Sequence, residues 1–389
     1  MKMILMLLFF LLSNSSYAQN FPRKVIRSQN IQRSKVPRMQ TPAVPLKIQL
    51  YVRKTPSREP LWFTSIKDAL DSAEENNYPM IRITVYPGTY SEPLRVTRST
   101  SIGGYTEGVI VKGSISNSVG YDLALSNLTL RDCRPYALVQ RGGALNLTDV
   151  GIYRTRRSDM DFHSGTAIEL SYGAVGRFSR VTLNDNQGPA LLLSGKGTKV
   201  LAQAITVRNN RINRRNIETA PADSRTERIA AVEVGDGALL LGDNPVIEDN
   251  EFIGLLARDG GRVHLRDGRV SESQSIELDS RRWGGINVSA RRGARIELRN
   301  MQISDARLAG IQNSSSWFKV SDSRVIRNVI GVHIQGNAAP DYDPVVCLSG
   351  YRTVYDDNDR NFDSDYLPVP GMGLDEDATP NCPGVPWDF

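Results

Sequence analysis

Between residues 81 and 340 the chain repeats one short phrase: a glycine turn, a run in which apolar and polar residues alternate, and an Asn or Asp turn. The glycine turns at 237 and 261 lie 24 residues apart, and those at 143 and 173 and at 261 and 293 lie 30 to 32 apart. A period in the twenties that contains only strands and turns is typical of a stacked solenoid. Each repeat buries its apolar face only against its neighbours, so the repeats share one continuous core.

This repeat predicts an all-β fold, a right-handed parallel β-helix spanning residues 61–340. Helical repeats are excluded because no segment of residues 81–335 keeps a 3.6-residue apolar period. A β-sandwich is the alternative architecture, but it accounts poorly for glycine and asparagine turns that recur over some 250 residues.

One helix is predicted at the start of the solenoid, over residues 64–76. Its apolar residues recur at helical spacing, and Thr64 or Ser65 is a suitable N-cap. An open solenoid end exposes unpaired strand edges, which invite aggregation. We therefore expect this amphipathic helix to cap the first rung.

The N-terminus has the pattern of a secretory signal peptide over residues 1–18. Lys2 supplies a positive charge, Ile4–Leu12 is apolar, and Ser16–Ala18 has the small-x-small pattern of a cleavage site. The apolar run is too short to span a bilayer, and no other stretch is long enough, so no transmembrane segment is expected. We expect a secreted or periplasmic protein.

The net charge of +6 is unevenly distributed. Residues 19–60 hold ten Lys or Arg residues against Glu59 alone, with six prolines, and predict a largely disordered basic linker. Residues 341–389 form an acidic tail. Nucleic acid is a poor partner for an exported protein, so the basic balance is not a nucleic-acid signal. The sequence leaves the oligomeric state open.

Three cysteines are present. An oxidising compartment permits disulfides, and we expect Cys347 and Cys382 to pair and close the acidic tail. Cys133 lies in a strand-like phrase and is predicted to be a buried free thiol. No cofactor is expected, apart from calcium at the oxygen-rich run Asp356–Asn361 as a weaker alternative to a solvated turn.

Three repeats carry long inserted loops, Tyr153–Ser164, Arg211–Arg228 and Ser275–Gly284. Insertions at one point of a repeat project from one face, which is often the binding face. Each loop holds an arginine pair, and arginine forks suit the carboxylates or sulfates of an acidic polysaccharide. The predicted substrate-binding residues are Arg156, Arg157, Arg214, Arg215, Arg282 and Trp283. The predicted catalytic residues are Asp159, Asp161, His163 and Arg281.

The alternative interpretation is that these loops are solvated and that their charges pair locally, with little energetic effect. His264 and His333 lie in strand phrases and are expected to be surface residues of the rungs rather than ligands.

The opening of the predicted solenoid resembles pectin-lyase-like β-helix proteins. The matching segments are Phe63–Leu70, read as the capping helix, and Ile83–Leu94, a strand followed by a Pro-Gly-Thr-Tyr turn. The resemblance covers about 35 residues directly, and the repeats extend it to residue 340. It implies the fold, but the superfamily includes lyases, esterases, hydrolases, epimerases and non-catalytic adhesins, so it does not imply one function.

Within this superfamily the opening is most similar to that of pectin methylesterases. The segments Asp161–Gly165 and Arg281–Trp283 resemble two of their catalytic motifs. The upstream Gln-Asp pair is missing, Arg282 replaces a proline, and the two segments lie some 120 residues apart. The sequence therefore favours a β-helix protein that binds a polysaccharide or cell-envelope glycan, or serves a structural role at the surface. The alternative is a lyase, hydrolase or esterase that acts on an acidic polysaccharide.

Overall fold

The computed structural model describes residues 47–117, 120–157, 165–211, 230–278, 281–335 and 352–364. These residues form a 19-stranded sheet, called sheet A, an 11-stranded sheet, called sheet B, and a two-stranded hairpin. The strands of sheet A are Ile48–Val52, Trp62–Phe63, Met80–Val85, Gly88–Tyr90, Ser99–Gly104, Val109–Val111, Leu123–Arg131, Ala144–Tyr153, Val175–Asn184, Lys199–Arg208, Leu239–Asp243, Val246–Glu248, Arg262–Arg266, Arg269–Ser271, Arg295–Arg299, Gln302–Ser304, Trp317–Ser321, Arg324–Ile326 and Val354–Asp356.

Sheet B runs beside sheet A, and the chain enters it once in each rung. Its strands are Leu94–Val96, Ile115–Asn117, Leu138–Arg141, Ile168–Ser171, Leu191–Leu193, Ala230–Val234, Ile253–Arg258, Ile286–Arg291, Ala309–Ser314, Ile330–Gln335 and Arg360–Ser364. The pairings within both sheets are parallel. The predicted fold class, a right-handed parallel β-helix with an N-terminal capping helix, is confirmed.

A rung has five parts in a fixed order. A first segment of sheet A is followed by a bend, a second segment of sheet A, a turn into sheet B, and a glycine turn back to sheet A. The shortest rung is 22 residues, since Ile296 pairs with Phe318. The rung that contains an insertion is longer, and Leu147 pairs with Phe178, 31 residues on. The uneven period in the sequence therefore reflects inserted loops on a constant rung.

The core lies between the sheets and is filled by alternate residues of each strand, as the two-residue period of a strand requires. In Ala144–Tyr153, for example, Leu145, Leu147, Val150 and Ile152 are buried and belong to one continuous cluster. That cluster extends from Leu50 to Val332, so each rung covers the apolar surface of the next.

The turn between the second segment and sheet B, called the asparagine turn, explains the Asn and Asp residues that end the repeated phrases. Its first residue has a left-handed backbone, as in Asp185 (φ 55°) and Asn209 (φ 53°), and Asp and Asn tolerate this conformation better than most residues. The next residue points inward. Asn210 Oδ1 accepts from the backbone N–H and the Nδ2 of Asn186, at 3.1 and 2.9 Å.

This hydrogen bonding continues as a ladder along the axis. Asn250 Oδ1 accepts from the backbone N–H and Nδ2 of Asn210 at 3.1 and 2.9 Å. The next two rungs have Ser273 and Ala306 at this position, and Asn287 of sheet B fills the gap, since its Oδ1 accepts from Ser273 N–H at 3.1 Å. Asn328 resumes the ladder by accepting from Ala306 N–H at 3.0 Å, and Asn358 by accepting from Asn328 N–H at 2.8 Å. Buried backbone groups are thus satisfied where the chain leaves the sheets.

The capping helix spans Ile66–Glu75. Ser65 is its N-cap, because its Oγ accepts from Asp68 N–H at 3.1 Å. Glu92 also accepts from Ile66 N–H at 2.8 Å, which ties the helix start to the second rung. The buried face of the helix belongs to the main core cluster and consists of Ile66, Ala69, Leu70 and Ala73. The helix therefore closes the core.

Two predicted boundaries are corrected. Ile48–Val52 lies inside the predicted linker 19–60 but pairs with Met80–Val85, so the sheet begins before residue 61. At the other end, Val354–Asp356 and Arg360–Ser364 pair with the preceding rung inside the predicted acidic tail. The solenoid therefore extends beyond residue 340. Residues 1–46, which include the predicted signal peptide and most of the linker, lie outside the described residues.

Cys133 is buried and has a free thiol, as predicted. Its Sγ donates to the Gly113 carbonyl at 3.2 Å, and burial raises its pKa to about 11. Cys347 and Cys382 lie outside the described residues, so their pairing remains a prediction. The run Asp356–Asn361 holds the last rung of the asparagine ladder at Asn358. Within the described part of the chain, no cluster of His, Cys, Asp and Glu is suited to hold a metal ion. None of the described helices is long and apolar enough to cross a membrane.

Candidate functional site

The three long loops predicted from the sequence interrupt the rung at the same point. Each begins after a second segment of sheet A and ends before a strand of sheet B, so all three leave from the asparagine turn. The third loop contains a hairpin, in which Ser275–Leu278 pairs antiparallel with Arg281–Gly284. Ile276 of this hairpin packs with Phe252 and Leu256 in a second apolar cluster, so the loop covers part of sheet B.

The predicted site residues on these loops have different outcomes. Arg156 is three-quarters buried, and its guanidinium binds the Asp185 carboxylate, with Nη2 to Oδ2 at 2.8 Å. This contact joins two rungs. Arg157 lies beside it at intermediate burial. Arg281, Arg282 and Trp283 lie on the second hairpin strand. The remaining predicted residues, Asp159, Asp161, His163, Arg214 and Arg215, lie outside the described residues.

A different surface collects charged side chains in a regular array. The outward side of the first segments of sheet A, called the front face, places one residue of each rung directly beside its partner in the next. Its basic residues are Arg82, Arg177, Lys199, Arg262, Arg266, Arg295, Arg299 and Lys319. Its acidic residues in the described strands are Asp243 and Glu297. Eight cations against two carboxylates make this face strongly basic.

A shallow groove with a volume of about 530 Å³ lies in the middle of the front face. Its polar lining comes from four consecutive rungs and consists of Asn146, Thr148, Arg177, Ser179, Gln203 and Asp243. These side chains occupy neighbouring columns, because Asn146 pairs with Arg177, and Thr148 with Ser179. Rungs are spaced by about 4.8 Å, so the groove presents donors and acceptors at a regular interval along the solenoid axis.

Next to this groove, His264, Glu297 and Lys319 form one column across three rungs. Glu297 lies between the two bases, with Oε2 at 3.7 Å from His264 Nδ1 and Oε1 at 3.8 Å from Lys319 Nζ. The pKa of His264 is lowered, chiefly by burial, although Glu297 opposes the effect. Its imidazole is therefore neutral at neutral pH and able to accept a proton. His264 and His333 are partly buried residues on rung surfaces, as expected.

In the adjacent column, Arg266 forms a two-pronged contact with Asp243. Arg266 Nη2 lies 2.9 Å from Oδ2, and Nε contacts Oδ1. The hydrogen bond from this guanidinium is the main cause that lowers the pKa of Asp243. The pair gives the C-terminal end of the groove a fixed carboxylate beside a fixed guanidinium.

A second groove, of about 560 Å³, lies at the asparagine turn and is mainly acidic. Its charged lining consists of Glu272, Asp305, Arg307, Arg327, Asp357 and Asp359. Here the central charges neutralise each other, because Arg327 Nε and Nη2 both lie 2.8 Å from the carboxylate of Asp305. The front face therefore differs from this groove in carrying cations in excess.

The front-face residues were not among the predicted site residues. Each stands at a polar position of an alternating strand, and in sequence it looks like any solvated strand residue. Only the register brings Asp243 beside Arg266, 23 residues later, and His264 beside Glu297, 33 residues later. The available signal was the excess of Arg and Lys at alternate positions in the phrases 262–270 and 295–303.

No family model matches the chain, and no curated protein matches it. Solved structures with a similar course of the chain include pectate lyase Pel9A, at 10% identity and a TM-score of 0.44, covering 75% of this chain and 76% of that one. They also include the periplasmic alginate epimerase AlgG, at 10% identity and a TM-score of 0.44, covering 74% of each chain. The catalytic domain of a GH87 α-1,3-glucanase has 10% identity and a TM-score of 0.39, covering 81% of this chain and 70% of that one. Similarity at this level says nothing about activity, so the function depends on this chain's own residues.

Proposed function

We propose that this protein binds an extended acidic polysaccharide along its front face, outside the cytoplasm. The observation that carries the proposal is the charge of that face, with eight cations against two carboxylates on strands in parallel register. Guanidinium forks match carboxylates and sulfates and bind them with two parallel hydrogen bonds. A regular column of such groups suits a polymer that carries a negative charge on each sugar.

The arginines that give the face its excess charge are accessible. Arg177 and Arg295 are exposed, Arg262 is partly exposed, and none of the three has an ion pair among the described residues. An exposed guanidinium without a carboxylate partner can exchange water for a ligand carboxylate and break no internal contact. The groove adds neutral donors and acceptors, such as Asn146 and Gln203, for sugar hydroxyls.

The export of the protein rests on the predicted signal peptide at residues 1–18, and an acidic glycan is a partner available outside the cytoplasm. Cleavage of this peptide is tested by N-terminal sequencing of the protein purified from its native compartment, which we expect to begin at Gln19. An N-terminus at Met1 would contradict export by this route.

Binding is tested by titrating the full chain with polygalacturonate, alginate and a neutral glucan of similar length. We expect affinity for at least one of the two polyuronates, none for the glucan, and a steep loss of affinity as salt rises from 50 to about 500 mM, because exposed charges are screened. Failure to bind either polyuronate, or equal binding of the neutral glucan, would overturn the proposal.

Acid–base chemistry on the same polymer is a second candidate function, favoured by the column His264, Glu297 and Lys319. A neutral His264 would take the proton from the carbon next to a uronate carboxylate, and the electron pair would move toward that carboxylate beside the front-face cations. Expulsion of the glycosidic oxygen from the neighbouring carbon would then leave a carbon–carbon double bond and break the chain, and that oxygen takes up a proton.

This chemistry is tested by the ultraviolet absorbance of unsaturated uronate ends. His264→Gln is expected to abolish their formation and leave binding intact. His333→Gln is the matched control, because His333 has a similar contact with Asp363 but lies on sheet B. Unchanged product formation in His264→Gln would remove His264 from this role.

A further inference from the structure

Four aromatic rings form a continuous stack at the N-terminal end of the solenoid. Tyr51 stacks on Trp62 with ring centroids 4.9 Å apart, and Trp62 meets Tyr86 at 5.5 Å. Tyr86 stacks on Tyr105 at 4.7 Å, with the two ring planes inclined by 20°. The rings belong to neighbouring rungs at the edge of the front face, since Tyr51 pairs with Thr84, and Tyr105 directly follows the strand Ser99–Gly104.

Tyr105 is the last ring of this stack and differs from the others in exposure. It is 62% exposed, whereas Tyr51, Trp62 and Tyr86 have intermediate burial. One of its faces packs on Tyr86, in the rung before it. The centroid separation of 4.7 Å is close to the rung spacing of about 4.8 Å, so the ring planes lie across the solenoid axis. The open face of Tyr105 is thus directed along the axis, toward the C-terminal rungs.

The groove of the front face lies in that direction. Gly103, two residues before Tyr105, pairs with Ser126, and Ser126 pairs with Thr148 of the groove. Two rung spacings, or about 10 Å, therefore separate the rung of Tyr105 from the rung of Thr148. Asn127 stands at the bend of the intervening rung, and its Nδ2 donates to the Gly104 carbonyl at 3.3 Å. No other large aromatic ring lies on the described front face between Tyr105 and the groove.

We propose that Tyr105 is a sugar-binding platform on which one pyranose ring stacks, at the N-terminal end of the path that the polysaccharide follows. The apolar face of a pyranose fits a flat aromatic face, and Tyr combines such a face with a polar hydroxyl at its rim. The stack of Tyr86 and Trp62 behind Tyr105 holds the platform across the axis. This inference rests on the proposed binding of a polysaccharide to the front face.

The chemistry of this subsite differs from that of the rest of the face. The cations recognise the charge of the polymer, and their contribution weakens as salt rises. A stacked ring recognises the shape of a sugar, and its contribution does not depend on ionic strength. The two contributions are therefore separable in one set of titrations.

The test uses the full chain and the polyuronate that the wild type binds best. Tyr105→Ala is expected to weaken binding about tenfold, the effect of losing one good stacking contact. Tyr105→Phe should bind like the wild type. Tyr105→Leu keeps an apolar contact with Tyr86 but no flat ring, and is expected to lose affinity as Tyr105→Ala does. The ratio of wild-type to Tyr105→Ala affinity should stay constant between 50 and about 500 mM salt, while both affinities fall.

Tyr172→Ala is the matched control, because Tyr172 is 76% exposed at the glycine turn and stacks on no described ring. It should leave affinity unchanged. Wild-type affinity in Tyr105→Ala would overturn the subsite and leave the proposed function standing. A loss of affinity that appears only together with a lower melting temperature in both Tyr105→Ala and Tyr105→Leu would assign Tyr105 to stability instead. Failure of the wild type to bind any polyuronate would overturn the proposed function itself.

Discussion

The asparagine turn and the front face are both columns of polar side chains that repeat once in each rung, yet they have opposite properties. At the turn, Asn186, Asn210 and Asn250 are at most 2% exposed, and each gives or accepts hydrogen bonds within the ladder. On the front face, Arg177 and Arg295 are exposed and have no ion pair among the described residues. One repeat geometry thus produces a structural ladder where the side chains point inward and a ligand-binding surface where they point outward.

The acidic groove beside the asparagine turn sharpens this contrast. Its central charges are paired, as in Arg327 with Asp305, and the hydrogen bond from Arg327 is the main cause that lowers the pKa of Asp305. A similar contact from Arg154 lowers the pKa of Asp132 at the same turn, seven rungs earlier in the chain order of turns. Surface charge therefore indicates a binding face only where it is left without internal partners.

The largest effect is expected inside the ladder. Asn250→Ala removes the acceptor for two hydrogen bonds from Asn210, and a donor to the Val207 carbonyl at 3.0 Å. Because Asn210 would keep buried donors without partners, we expect the free energy of unfolding to fall by about 3 kcal/mol. Urea denaturation followed by circular dichroism measures this change.

Asn184→Ala is the control for this substitution. Asn184 accepts a hydrogen bond from Asn209 at 2.9 Å, but the contact is exposed, so a loss of less than about 1 kcal/mol is expected. Equal losses in the two variants would mean that burial of the ladder does not govern its contribution.

The next effect is expected in binding rather than in stability. Replacing Arg177, Arg262 and Arg295 together by alanine removes three cations that lack described ion pairs. At about 1 kcal/mol for each lost charged contact, affinity for the bound polyuronate should fall by at least tenfold, with an unchanged unfolding midpoint.

The matched control removes three exposed arginines from other surfaces. Arg95 and Arg141 lie on strands of sheet B, and Arg324 lies on a second segment of sheet A. Their combined replacement by alanine changes the net charge equally. If this control loses as much affinity as the front-face variant, net charge rather than the front face binds the polymer.

A smaller effect is expected at Cys133, which follows the left-handed residue Asp132 at an early asparagine turn. Burial raises the pKa of its thiol from 9.0 to about 11. Since the folded protein holds the proton more tightly, the stability that this thiol contributes is fully present below pH 9 and is lost as the pH rises through about 11. We expect unfolding to become easier by about 1 kcal/mol between pH 8 and 10.

Cys133→Ala lacks this titration, so the difference between its pH dependence and that of the wild type isolates the thiol. In the same pH range, iodoacetamide should label Cys133 slowly in the folded protein and quickly after denaturation. Fast labelling of the folded wild type at pH 8 would show that the interior of the turn is open to solvent.

The fold could be predicted because its strongest signals are local. The helix Ile66–Glu75 and its N-cap at Ser65 follow from apolar spacing and one capping residue, and the turns follow from Gly, Asn and Asp. The ends were harder to predict. Ile48–Val52 is surrounded by basic and proline-rich sequence, and Val354–Asp356 by acidic sequence, so composition concealed two strands that pair over long distances.

The candidate site could not be read from the sequence for a related reason. A binding face on a solenoid is assembled by register, and inserted loops shift the register unpredictably. His264 lies beside Glu297 only because the insertion Ser275–Gly284 adds length to one rung. Sequence reasoning instead chose the loops themselves, where charge is dense. Yet Arg156, the loop arginine with a described contact, joins two rungs by binding Asp185.

The smallest effect is expected for the paired charges of the acidic groove. Arg327 and Asp305 are about half and a third exposed, so solvent screens their attraction. A double-mutant cycle with Asp305→Asn and Arg327→Gln should give a coupling of about 0.5 kcal/mol at neutral pH. Because the pKa of Asp305 is lowered in the folded protein, this coupling is present above the usual carboxyl range and is lost as the pH falls through the lowered value. A coupling of about 2 kcal/mol would place these outward charges on a level with the buried asparagine ladder, and the contrast between inward and outward columns would then rest on pairing alone, not on burial.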